Sequence, residues 1–231
     1  MQIGGERRGF TSHRVRHCPF MKRCLVVGAG GFGREVVSWA LDVEQAEWRI
    51  TGLLDSNPRA LDGKDFPYPV LGDPDTWTPA EDQVFLCGMG IPEVRMRVCD
   101  GLRLRGARFL KLIHPSAVIG IRAEVGEGCV VAPQAVVSVN TTLERFVVIN
   151  VAAYIGHDVR IGEGTLISGH CDIMGYVSIG PGCLIGGSAS VLPGRTVGAH
   201  AVVGAGSVAV HDVPAGATVA GVPARALAAK R

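Results

Sequence analysis

At 231 residues the chain has room for two modest domains. Its net charge of +2 is uneven: residues 1–20 hold four Arg and one Glu, so they sum to +3 and the remainder to −1. No basic stripe remains to hold a nucleic-acid backbone, and no run approaches the roughly eighteen consecutive apolar residues of a membrane span.

The first twenty residues lack the apolar core of a signal peptide and read as a disordered extension. Met21-Lys-Arg-Cys-Leu-Val-Val reads as a natural beginning. Arg23–Val27 is then a short β-branched strand running into Gly28-Ala-Gly30-Gly31-Phe32-Gly33. Helical spacing follows over Arg34–Val43, and a second strand, Ile50–Leu54, ends at Asp55. Strand, G-x-G-x-x-G turn, helix, strand and acid form a βαβ unit suited to a nucleotide. Glycine lets the backbone approach phosphates, whose charge is favoured at a helix N-terminus, and Asp55 can accept hydrogen bonds from a ribose or a base edge. The structural alternative is that these glycines serve only tight helix–strand packing. One more strand at Gln83–Cys87, a helical stretch at Glu93–Leu104 and a strand at Arg108–Leu112 complete residues 21–112. That is too little for both halves of a dinucleotide fold, so a half-sized parallel sheet holding one nucleotide is expected.

From Ile113 to Pro214 the chain repeats every six residues without insertion. Sixteen of the seventeen first positions, from Ile113 and Ile119 through Ile155 and Ile173 to Val203, are Ile, Leu or Val, and Ala209 is the seventeenth. Eight second positions are Gly (Gly120, Gly126, Gly156, Gly162, Gly180, Gly186, Gly198, Gly204), which suits a corner needing unusual backbone angles. Fifth positions are nearly all small or β-branched, with Arg195 the exception, expected to turn outward. Positions five and one share a face of an extended segment. Each hexad is thus a short strand with inward side chains followed by a bend, and three hexads close an eighteen-residue triangular coil. Ile119, Val137, Ile155, Ile173, Val191 and Ala209 then form one interior column. Nearly six coils span about 27 Å at roughly 4.8 Å per coil. Residues 215–231 are left as a C-terminal tail.

The seven cysteines are odd in number and contain no CxxC. Cys129, Cys171 and Cys183 fall at inward fifth positions and read as core filler. A reducing cytoplasm is the expected compartment.

From Met21 onward the chain resembles the NeuD/PglD-type sugar acetyltransferases, which are hexapeptide-repeat acyltransferases. The matching stretches are Gly28-Ala-Gly-Gly-Phe-Gly-Arg-Glu-Val36, Gly52-Leu-Leu-Asp55, Pro69-Val-Leu-Gly-Asp73, Ile113-His-Pro-Ser-Ala-Val-Ile-Gly120, Ile149-Asn150, Gly156-His-Asp158 and Gly221-Val-Pro-Ala-Arg225. The resemblance implies a Rossmann-like α/β domain with a small parallel sheet, followed by an all-β left-handed parallel β-helix; the handedness comes from it alone. It further implies transfer of acetyl from acetyl-CoA to the amino group of a nucleotide-linked sugar, without a metal, in a homotrimer with sites between neighbouring coils. Carried over, the general base falls on His157 and its orienting carboxylate on Asp158. A backbone donor for the thioester carbonyl falls on Gly175, and the family's Asn on Asn150. The nucleotide is expected on Gly30, Gly31, Phe32 and Gly33 with Asp55, and coenzyme A along Gly175, Gly187, Pro223 and Arg225. An imidazole suits proton removal from an attacking amine, a carboxylate can fix its tautomer, and a fixed N–H can hold the oxyanion.

Two departures from the family pattern stand out. Leu166 occupies a place where many relatives carry a second histidine, with His170 four residues later, and Phe32 replaces a histidine often found in the glycine turn. The competing readings are O-acetylation of a sialic-acid-type sugar or a secondary metabolite through the same His157, and a non-catalytic assembly that binds nucleotide or coenzyme A. A γ-carbonic-anhydrase-like zinc site needs an H-x₄-H pair, and the chain contains none.

Overall fold

The computed structural model describes residues 21–44 and 46–227. The expected extension, residues 1–20, lies outside the described residues.

The N-terminal unit runs β1 (Lys22–Val27), α1 (Gly31–Leu41), β2 (Trp48–Leu54), β3 (Val70–Gly72), β4 (Gln83–Cys87) and α2 (Pro92–Leu104). All pairings are parallel and the strand order is β3-β2-β1-β4. The sheet is half-sized, as expected from its length. Alternating residues of β1 face opposite sides. Cys24 and Val26 pack with Val36, Val37 and Ala40 of α1, while Leu25 and Val27 pack with Val98, Cys99 and Leu102 of α2. β3 escaped the sequence reading because three residues carry no period. The strand expected over Arg108–Leu112 is reduced to one bridge, Phe85 to Phe109, and the chain then enters the coil at Leu112–Ile113.

The coil follows the hexads. Three parallel sheets carry five, six and eight strands, the last count including one terminal antiparallel strand. Partners step by eighteen residues, so Ile119, Val137, Ile155, Ile173, Val191 and Ala209 pair in that order. From Val137 onward these first-position side chains are buried to 0–1% exposure, which fixes the prism's interior.

Fifth-position polar groups find partners inside it by one rule. Thr141 and Thr165 donate to the carbonyls of Gly156 and Gly180, each at 2.8 Å and fifteen residues ahead. Cys129, Cys171 and Cys183 point their thiols at the carbonyls of Glu144, Gly186 and Gly198 over the same interval. Burial pushes the Cys129 thiol up to about 12. These cysteines are therefore protonated core residues. Arg195 is partly exposed, with its guanidinium 3.9 Å from Asp212.

The corner glycines have a different reason from the one expected. Positive φ falls at the fourth hexad position, where Asn140, Asp158, His170 and Tyr176 have φ of 55–62°. Second-position glycines are absent from the positive-φ set. They are required because a Cβ would strike the coil above: at Gly156 it would lie 2.7 Å from the Gly175 nitrogen, and at Gly120 2.6 Å from the Val139 nitrogen.

The pairing also continues past Pro214. Thr218–Ala220 lies parallel to Val202–Val203, and Arg225–Ala226 folds back antiparallel upon it. The N-terminal unit packs on the outer face of the eight-stranded sheet. Leu112, Val130 and Val148 join the α1-side core, and Phe146 joins the α2-side core.

Candidate active site

His157 sits at a third hexad position, on the corner after Tyr154–Ile155. Its side chain is 48% exposed, on the outer edge of the prism. Nδ1 lies 2.8 Å from Oδ2 of Asp158. A carboxylate only accepts, so Nδ1 carries the proton and Nε2 is left as an acceptor. The left-handed backbone of Asp158, φ 57°, brings its carboxylate back toward the ring.

Eighteen residues on, Gly175 lies against that ring: a Cβ there would stand 2.6 Å from Nε2. The Gly175 N–H has no acceptor among the described residues. Within one chain, then, the expected base, its carboxylate and the expected oxyanion donor converge.

Two further residues belong to this edge. Asn140, one coil before Asp158, donates from Nδ2 to Asp158 Oδ1 at 3.2 Å. Tyr176, one coil after it, sets its ring perpendicular to His157 with centroids 4.9 Å apart. Both were findable by counting eighteen residues either way from Asp158. Around them lie exposed apolar side chains: Val118, Ile121, Val139, Tyr154 and Tyr176 itself.

The other expected residues are elsewhere. Asn150 occupies the preceding corner, where its Oδ1 accepts the Val151 N–H at 2.7 Å. Gly187 stacks two coils further along that corner's column, with a Cβ position 3.6 Å from the Gly169 carbonyl. Gly221–Arg225 closes the same column: the Val208 N–H donates to the Gly221 carbonyl, and Ala224 donates back to Val208. Pro223 and Arg225 are exposed there. Gly187, Pro223 and Arg225 thus share a corner with Asn150 and are separated from His157 and Gly175 by one side of the prism.

The second concavity is a cleft of about 240 Å³ lined by Gly30, Gly31, Phe32 and Asp55, with Met89, Gly90, Ile91 and Val94 opposite. Gly30 and Gly31 face open space, and α1 begins at Gly31 without a side-chain cap. Its unpaired N–H groups and dipole favour an anion here. Gly33 is not part of this surface. A Cβ on it would overlap the Gly28 carbonyl, so it serves helix–strand packing, the alternative weighed for these glycines.

Asp55 already works on the turn. Its Oδ2 accepts the Ala29 N–H at 2.8 Å and its Oδ1 the Asn57 N–H at 2.9 Å. Lone pairs remain for a ligand. Phe32 lines the cleft with its ring edge-on to Trp39, centroids 5.9 Å apart. Nothing in the sequence marked the Met89–Ile91 part of that wall, because a β–α loop has no period.

A larger cavity, about 560 Å³, lies between α2 and the coil. Its charges are spent on each other: Arg145 pairs with Asp100 at 2.7 Å and Arg103 with Glu127 at 3.1 Å. This network joins the two units and is remote from the imidazole. Among the described residues no group of three or more His, Cys, Asp or Glu gathers to hold a metal, and no helix is long and apolar enough to cross a membrane.

Residues 23–102 match the PglD N-terminal domain. The chain is similar to a GDP-perosamine N-acetyltransferase of Escherichia coli O157:H7, 34% identical over 85 residues. It is also similar to a UDP-N-acetylbacillosamine N-acetyltransferase of Bacillus subtilis, 32% identical over 118 residues. These matches cover 37% and 48% of the chain, and it spans 38% and 51% of those curated relatives. Solved structures align over nearly all of it. The acetyltransferase domain of PglB from Neisseria gonorrhoeae is 30% identical, with TM-score 0.81, covering 89% of this chain and 100% of that one. The chain belongs to the NeuD/PglD-type sugar acetyltransferases.

Within that family, PerB from Caulobacter crescentus is 27% identical, with TM-score 0.81 over 89% of this chain and 97% of its own, and was solved with CoA and GDP-perosamine. Leu166, the first departure from the family pattern, is half-buried against the α1-side core, on a different side of the prism from the strand that leads to His157. His170 lies on the Asn150 corner and is exposed.

Proposed function

We propose that this protein is an acetyl-CoA-dependent N-acetyltransferase acting on the amino group of a nucleotide-linked amino sugar, with His157 as general base. The observation that carries this is the outward Nε2 of His157, freed by Asp158 and bordered by a corner glycine, in a chain that also holds an anion-ready cleft. The neutral amine attacks the thioester carbonyl carbon. Nε2 takes the proton that the amine loses, the Gly175 N–H steadies the oxyanion, and the imidazolium returns the proton to the departing thiolate of coenzyme A. Asp158 holds the tautomer and balances the imidazolium charge. No acyl-enzyme is required.

A homotrimer completes the site in this reading. The exposed apolar side chains beside His157 call for a cover. A second copy would set its Asn150–Gly187–Arg225 corner against the His157 edge, with coenzyme A between. The nucleotide is assigned to Gly30, Gly31, Phe32 and Asp55. The buried, unpaired thiols support a reducing, cytoplasmic setting.

O-acetylation of a sugar is the second reading because Phe32 faces the cleft and, among the described residues, no cationic side chain lines it. Purified protein mixed with acetyl-CoA and UDP- or GDP-linked 4-amino sugars should release thiol and gain one acetyl per sugar by mass. Thiol release only with hydroxyl acceptors such as sialic acid favours the second reading. None with any acceptor, despite coenzyme A binding, favours a non-catalytic role.

A further inference from the structure

Arg95, on the second turn of α2, is fully buried, and its partners are all carbonyls. Nε donates to Met89 at 2.9 Å and Nη2 to Gly90 at 3.0 Å. Nη1 donates to Phe146 at 2.8 Å, with the Thr165 carbonyl at 3.5 Å. Met89 and Gly90 belong to the cleft wall, whereas Phe146 and Thr165 belong to the coil. Among the described residues the Met89 and Gly90 carbonyls accept no other hydrogen bond. One planar fork thus spans the junction between the two units.

Burying a guanidinium without a carboxylate is costly, and burial lowers its pKa from the usual value. An apolar side chain of similar volume would fill the space more cheaply, but it could not fix three carbonyls at set distances from one another. Lysine could not either, since its donors radiate from a single point.

We infer that Arg95 is a positioning residue for nucleotide-sugar binding: it holds the Met89–Gly90 wall of the cleft at a fixed height on the coil. The inference rests on the cleft being the nucleotide site. Arg95 touches neither substrate nor reacting atoms, so its loss acts on the acceptor side alone. Removing charge-assisted hydrogen bonds from the wall should raise KM for the nucleotide sugar roughly tenfold or more. KM for acetyl-CoA should stay at the wild-type value, because the corners assigned to it lie outside this junction.

The test uses the full chain with Arg95→Met and Arg95→Lys, assayed with acetyl-CoA and a GDP- or UDP-linked amino sugar. Amide hydrogen exchange is followed in the ligand-free proteins. The expected result is a selective rise in nucleotide-sugar KM, larger for Met than for Lys, with faster exchange confined to residues 88–91. A fall in specific activity with both KM values unchanged would overturn the inference, as would exchange that quickens equally across the coil strands. If Arg95→Met fails to fold, Arg95→Lys decides on the same two readouts. Should wild-type protein show no saturation by any nucleotide sugar, it is the assignment of the cleft that fails, and the exchange pattern still decides whether Arg95 fixes the wall.

Discussion

The coil and the N-terminal unit are held together in different ways. In the coil the inward positions follow their place in a hexad, Arg195 excepted, so Cys183 behaves as Cys171 does and Thr165 as Thr141 does. In the N-terminal unit neighbouring residues of one type do unrelated jobs. Gly30 and Gly31 face open space while Gly33, two residues on, is pressed against the Gly28 carbonyl. A repeated backbone makes side-chain roles periodic, whereas a single βαβ unit sets each by its own tertiary contacts.

Glycine replacements test that contrast most sharply. Gly156→Val forces a side chain into the backbone of the next coil and should cost about 3 kcal/mol, lowering Tm by roughly 6–12 °C. Gly30→Ala, in open space, should stay within about 0.5 kcal/mol of wild type by thermal denaturation, yet impair nucleotide-sugar binding. Equal losses in the two would erase the distinction.

Gly175→Ala sharpens the same point inside the coil. Its Cβ meets the His157 ring, which can swing away, so stability should hold while kcat falls about 10–100-fold through displacement of the base. A large Tm loss with normal kcat would mean the glycine serves packing alone. Asn140→Ala should give the smallest effect. One hydrogen bond to an exposed carboxylate is lost, and kcat should drop about two- to fivefold, with KM for both substrates unchanged. Asn140→Asp should be worse than alanine, since it sets a like charge beside Asp158.

Most of the coil was legible because apolar periodicity and strand geometry are two views of one constraint. The reason for its second-position glycines was not legible, since the sequence cannot separate a need for positive φ from a need for clearance. His157, Asp158 and Gly175 were placed together by resemblance, and the eighteen-residue period agreed. Asn140 and Tyr176 were equally accessible to that count. Arg95 was hidden for a different reason: a cation on a polar helix reads as a solvated face, and only the tertiary fold reveals that its partners are carbonyls of two separate units. Gly33 was grouped with its neighbours because a motif records spacing, not which way each Cα faces.

The most direct measurement is single-turnover acetyl transfer by His157→Ala with both substrates saturating, and with their binding followed separately by calorimetry. Loss of a positioned proton acceptor should slow transfer by about 10²–10⁴-fold while coenzyme A and nucleotide-sugar affinities stay near wild type. Transfer at the wild-type rate would show that the imidazole on the prism's edge is not the base.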